Sequence, residues 1–131
     1  VGVRNPWDMM VSFFFWWLEE PSRPVGMPND FRSFIRWHVN GAHPINLSYW
    51  LMNGERWADF YVRFERLDED CRVMWKKLGL EYHGLPRLKT KGRAIRGIHY
   101  SAYYEDWMVQ SVAKAYQRVI SEFGYEFEDK R

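Results

Sequence analysis

The first twelve residues, VGVRNPWDMMVS, constrain the fold more than any other stretch of the chain. Val1-Gly2-Val3 reads as the end of a buried strand, and the residues after it carry the signals of a helix start. Asn5 is placed to cap the free amides of that helix. Pro6 suits its first position, where a backbone N–H would have no partner. Asp8 adds negative charge to the first turn, favourable against the helix dipole. A strand running directly into a helix is the unit of α/β layering, and the junction is a natural anion site. Arg4 and Ser12 bring a guanidinium and a hydroxyl to it, and together they suit a phosphate. The plain alternative pairs Arg4 with a neighbouring carboxylate and leaves Ser12 an ordinary helical residue.

The chain has 131 residues, enough for one domain with a single core. Apolar residues make up 47% and aromatics 19%, with eight Trp, so the composition is not that of a disordered chain. A net charge of +2 is too mild to argue for nucleic acid, although a local basic patch can still serve an anionic ligand. The single Cys, Cys71, excludes an internal disulfide, and the four His lack zinc-site spacing, so no metal is expected. Residues 9–18 form an apolar run half as long as the roughly 20 residues a bilayer-spanning helix needs. That run predicts a helix buried on all sides, with no membrane span in this segment. No signal-peptide pattern opens the chain. A cytoplasmic location is the expectation, or the Golgi lumen if a membrane anchor lies upstream.

Residues 19–30, EEPSRPVGMPND, are rich in Pro and Gly and predict a loop closed by a capping Asn or Asp. Helical spacing then covers residues 31–39, and NGAHPIN breaks it. Alternation and β-forming residues predict a strand over 58–64. A further helix starts at Asp68 or Glu69 and ends at Gly79. A loop of about twenty residues follows, long enough to suspect function. The last element is a helix over 104–123, stopped by Gly124. The order predicts an α/β unit with a parallel sheet covered by helices. So few strands imply that further ones lie upstream of Val1.

RNPWDMMVS, from Arg4 to Ser12, resembles the "R-N-P-x-D-x-x-V-S" segment of the sulfotransferase superfamily. The stretch FYVRFERLDEDCRVMWKKLGL resembles the family's "R-x-E-D-L" strand and helix, with Arg66 where Asp is usual. Lys91-Gly92-Arg93 is similar to its "K-G-R" loop, and residues 99–128 to the last helix of its carbohydrate-type members. The resemblance implies a three-layer α/β/α, P-loop-like fold, helix-rich here and with its N-terminal strands missing. Residues 1–131 are then the C-terminal part of one domain. The co-substrate it implies is 3'-phosphoadenosine-5'-phosphosulfate. Arg4, Ser12, Lys91, Gly92 and Arg93 would bind the donor's 3'-phosphate, and the acceptor would be a hydroxyl or amine on a carbohydrate or small molecule. Gly92 permits close backbone approach to an anion, with Lys91 and Arg93 supplying charge beside it.

Sulfuryl transfer requires a held nucleotide, neutralised oxygens and aligned reactants. The family's phosphosulfate loop, a Lys-bearing turn after an early strand, has no counterpart in these residues, and the catalytic base is unassigned. The isolated chain is therefore expected to be inactive. His38 reads as a packed residue, His43 as a cleft candidate, His83 as a loop residue and His99 as a residue that orders the HYSAYY turn. Glu65 reads as structural. Of Trp37, Trp50 and Trp57, at least two are expected in the core, and two of Tyr100, Tyr103 and Tyr104 are expected to pack. Two other readings compete. One is a non-catalytic module that binds an acidic partner or nucleic acid through the basic run RLKTKGRAIR. The other is a P-loop phosphotransferase, for which no Walker-type loop is present.

Overall fold

The computed structural model describes residues 1–41, 49–86 and 97–131. Strand β1 (Gly2–Val3) passes through Arg4 and Asn5 into helix α1 (Pro6–Glu19). The side-chain oxygen of Asn5 accepts from the amides of Trp7 and Asp8 at 3.0 and 3.4 Å, so it caps the helix as its residue type favours. Helix α2 (Phe31–Val39) keeps its predicted bounds. Its cap is Asp30, which accepts from the Ser33 amide at 2.8 Å, and that bond holds the carboxyl below its ordinary range.

A hairpin absent from the sequence reading comes next, formed by β2 (Leu51–Met52) and β3 (Glu55–Arg56). Asn53 and Gly54 join the strands with φ of 53° and 83°, which matches the preference of Asn-Gly for a two-residue turn with positive φ at both positions. Strand β4 (Val62–Arg63) pairs in parallel with β1, placing Gly2 opposite Val62 and Val3 opposite Arg63. The strand predicted over 58–64 is thus reduced to two residues. The Tyr61 hydroxyl takes the amides of Trp57 and Ala58 at 3.0 and 3.3 Å and donates to the Trp50 carbonyl, and Phe64–Arg66 turn into a short 3-10 helix.

Helix α3 (Leu67–Lys77) follows at once and packs on β4. Beyond a second 3-10 turn, Tyr100–Tyr103, lie α4 (Asp106–Ala115) and α5 (Gln117–Phe123). The single helix predicted over 104–123 is broken between these two. The break falls at Tyr116, whose buried hydroxyl lies 2.9 Å from His38 Nε2. Gly124, at φ 69°, ends α5 in the left-handed conformation that an L side chain resists.

The core lies among α1, α2, α4 and α5, where Met10, Phe34, Ile35, Val112 and Val119 are fully buried. Helix α1 is buried through its first turns, but Trp16 is 45% exposed, so the expectation of burial on every side fails for its second half. Among the described residues α1 packs chiefly on α2, α4 and the Tyr100–Tyr103 turn, and Trp16 stays open to solvent. The architecture is mixed α/β, rich in helix, with one small parallel sheet. Among the described residues no helix is long and apolar enough to cross a membrane.

Candidate functional site

The β1–α1 corner is the centre of the site. Arg4 Nε donates to Asp8 Oδ2 at 2.6 Å, and the two side chains are 14% and 11% exposed. The guanidinium also lies over Phe64, 4.1 Å from the ring centroid. Arg4 thus has the neighbouring carboxylate that the plain alternative anticipated. Ser12 is one helical turn beyond Asp8, half-buried and on the same face of α1 by its i, i+4 spacing.

Asn5 makes three separate connections. Its oxygen caps α1, its backbone N–H donates to Glu65 Oε1 at 2.5 Å, and its side-chain Nδ2 donates to the Glu126 carbonyl at 3.0 Å. Glu65 Oε2 also accepts from the Tyr125 hydroxyl at 3.2 Å. Glu65 is therefore a tie between the turn after β4, the corner and the segment after α5, in keeping with its structural reading.

Beside this corner opens a cleft of about 460 Å3, walled by Asn5 and Asp8 on one side, His99 and Tyr100 on another, and Glu65 and Glu128. Gly97 and Ile98 complete its lining. Neither Arg4 nor Ser12 is among the described lining residues. A second cleft, of about 560 Å3, shares Asn5, Glu65 and Glu128 and adds Arg63, Arg66 and Tyr125. Three carboxylates line the first cleft: Asp8, paired with Arg4; Glu128, close to His99 and Lys130; and Glu65. Lys91, Gly92 and Arg93 lie outside the described residues, as does His43.

His99 caps the Tyr100–Tyr103 turn: Nδ1 accepts from the Ser101 amide at 3.3 Å, and Nε2 faces Glu128 at 3.6 Å. His38 is 3% exposed and bonded to Tyr116, and His83 is exposed near Glu81. Trp37 and Trp50 pack against the core, Trp50 donating to the Gly2 carbonyl at 2.9 Å, whereas Trp57 is 49% exposed. All three tyrosines of the HYSAYY segment pack: Tyr103 on Phe15 and Phe31, Tyr104 on Phe31, and Tyr100 on Phe127. Among the described residues no group of three or more His, Cys, Asp or Glu could hold a metal ion.

Burial pushes the Tyr104 and Tyr116 hydroxyls well above the ordinary tyrosine range. Tyr104 donates to the Trp7 carbonyl at 2.8 Å, in the first turn of α1. A raised folded value means that these groups stabilise the fold fully below the unfolded value, near 10. That contribution is lost as pH rises from there through the folded values. In an absorbance titration of the eight tyrosines, Tyr104 and Tyr116 are expected to lag and to ionise only with loss of circular dichroism. Simultaneous titration of all eight with the fold intact would refute the burial of Tyr104 and Tyr116.

No family model, curated protein or solved structure matches this chain. The functional reading therefore rests on the corner itself. The sequence reading named Arg4, Asn5 and Ser12 but missed the Glu126 carbonyl and the Tyr104 hydroxyl as partners of the corner. Their link to it comes from contacts spanning tens of residues, for which no local spacing signal exists.

Proposed function

We propose that this chain supplies the 3'-phosphate side of a nucleotide sulfate-donor site in a sulfotransferase. The donor is 3'-phosphoadenosine-5'-phosphosulfate and the acceptor a hydroxyl or amine of a carbohydrate or small molecule. The chain is read as the C-terminal part of a P-loop-like, three-layer α/β/α domain. The observation that carries this reading is the strand-to-helix corner, where a parallel-paired strand ends in Arg4 and Asn5 caps α1, with Ser12 on the face of α1 that also carries Asp8. Such a helix start favours an anion through its free amides and dipole. Arg4 would share its five donors between Asp8 and a phosphate oxygen, and Lys91 and Arg93 would add positive charge against the three carboxylates of the cleft. The 131 residues carry no phosphosulfate-loop motif, and the catalytic base is unassigned.

The direct test is calorimetric titration of the chain with adenosine 3',5'-bisphosphate. Arg4→Ala is expected to weaken binding about 10- to 100-fold, the worth of a hydrogen bond to a charged group. Unchanged affinity removes Arg4 from the site. The competing reading, a basic module for an acidic partner or nucleic acid, predicts oligonucleotide binding that falls steeply with salt and tolerates Arg4→Ala.

A further inference from the structure

We propose that residues 125–131 form a positioning strap for the β1–α1 corner, with Asn5 and Ser101 as its positioning residues; this rests on the anion-site reading above. The segment has neither helix nor strand, and most of its side chains are exposed, yet its backbone is held at every second residue. The Glu126 carbonyl accepts from Asn5 Nδ2 at 3.0 Å, the Glu128 amide donates to the Tyr100 hydroxyl at 2.7 Å, and the Lys130 amide donates to Ser101 Oγ at 3.1 Å. This is the period of an extended strand. Here the partner is not a second strand but three side chains, and one of them, Ser101, is fully buried.

Between these bonds, Phe127 sets its ring edge-on to Trp7, Tyr100 and Tyr104 at centroid distances of 5.7, 5.6 and 5.5 Å. Arg131 closes the segment, donating to the Tyr104 carbonyl at 3.1 Å and pairing with Asp106 at 2.9 Å. The strap therefore joins two walls of the cleft that are far apart in sequence. Asn5 belongs to the corner, Tyr100 and Ser101 to the turn that follows residues 87–96, and Glu128 of the strap lines the cleft itself. A ligand held by both walls binds best when the strap is docked. By linkage it must then strengthen docking by the same factor.

The experiment measures amide hydrogen exchange in the full chain with and without adenosine 3',5'-bisphosphate, alongside binding to two variants. One is Ser101→Ala, which removes the acceptor for Lys130; the other is truncation after Asp129. None of the altered residues lines either cleft. The nucleotide is expected to slow exchange at Glu128 and Lys130. Each variant is expected to weaken binding about tenfold, the scale of one net hydrogen bond, and to speed exchange at the Asn5-capped amides of Trp7 and Asp8. The two losses should not add when combined, since they act through one strap. They should also persist at 0.5 M salt, where a mere change in surface charge is screened. If the full chain binds no nucleotide, the anion-site reading and the strap fall together. If it binds, but both variants bind within twofold and the strap amides ignore the nucleotide, the strap alone is overturned. If Ser101→Ala fails to fold, the truncation carries the same comparison.

Discussion

Replacing Phe34 by Ala is expected to lower the free energy of unfolding by about 3–5 kcal/mol. The side chain is fully buried, and its ring has neighbours on every side. Phe14 lies at 5.3 Å between centroids, His38 at 5.8 Å, Trp37 at 6.0 Å, and Phe31 and Trp17 at 6.2 Å. These rings come from α1 and α2, so collapse into the vacated space would require two helices to move together. Domains of this kind hold only about 5–15 kcal/mol in total, so the loss is a substantial share of the margin. Urea unfolding at neutral pH checks this directly. A loss under about 1 kcal/mol, the level of an ordinary surface-to-core average, would show that the aromatic cluster is not the centre of the core. Phe34→Leu, which keeps more of the volume, should fall well short of the Ala value.

Asp8→Asn is expected to cost about 3 kcal/mol, the low end for removing one partner of a buried ion pair. The low end applies because Arg4 and Asp8 keep 14% and 11% exposure. The loss arises less from the missing attraction than from leaving the Arg4 charge in a poorly solvated place. The first turn of α1 also loses a negative charge that favours its dipole. If a phosphate takes Arg4, it competes with Asp8 for the guanidinium. The same substitution is then expected to tighten binding of adenosine 3',5'-bisphosphate severalfold while it weakens the fold. Opposite signs in thermal unfolding and calorimetry are the expected pair of results. Parallel losses in both would mean that Asp8 aims Arg4 at the ligand instead of competing for it.

The starts of α1 and α2 were legible because their signals are local. Asn5, Pro6 and Asp8 mark the entry to α1, and Asp30 marks α2, and in each case the cap bonds reach no further than three residues. Gly79 and Gly124 adopt the positive φ that their positions after α3 and α5 suggested. The hairpin was written just as locally, in Asn53-Gly54, but its flanking residues do not alternate strongly enough to draw attention to it. Residues 58–64 misled for the opposite reason. Their pattern is that of a strand, but the Tyr61 hydroxyl takes the amides of Trp57 and Ala58 before it and a 3-10 turn begins at Phe64 after it, so the ladder holds Val62 and Arg63. Helical periodicity over 104–123 likewise could not register that Tyr116 meets His38, 78 positions earlier in the chain, where the helix breaks.

For the candidate site, the sequence by itself determined the corner: a strand end, a cap, an Arg with a carboxylate four residues on, and a Ser one turn beyond that. Each of these depends on groups within a helical turn of one another, so residue type and spacing suffice to specify them. Only the tertiary structure decided what the corner faces. The pairing of β1 with β4 brings Glu65 to the Asn5 amide across 60 positions, and the strap brings Glu126 to its side chain across 121. Such contacts form because buried backbone groups must find partners once the core has closed. The partner each one finds depends on which surfaces the packed helices leave adjacent, and no short stretch of sequence contains that information.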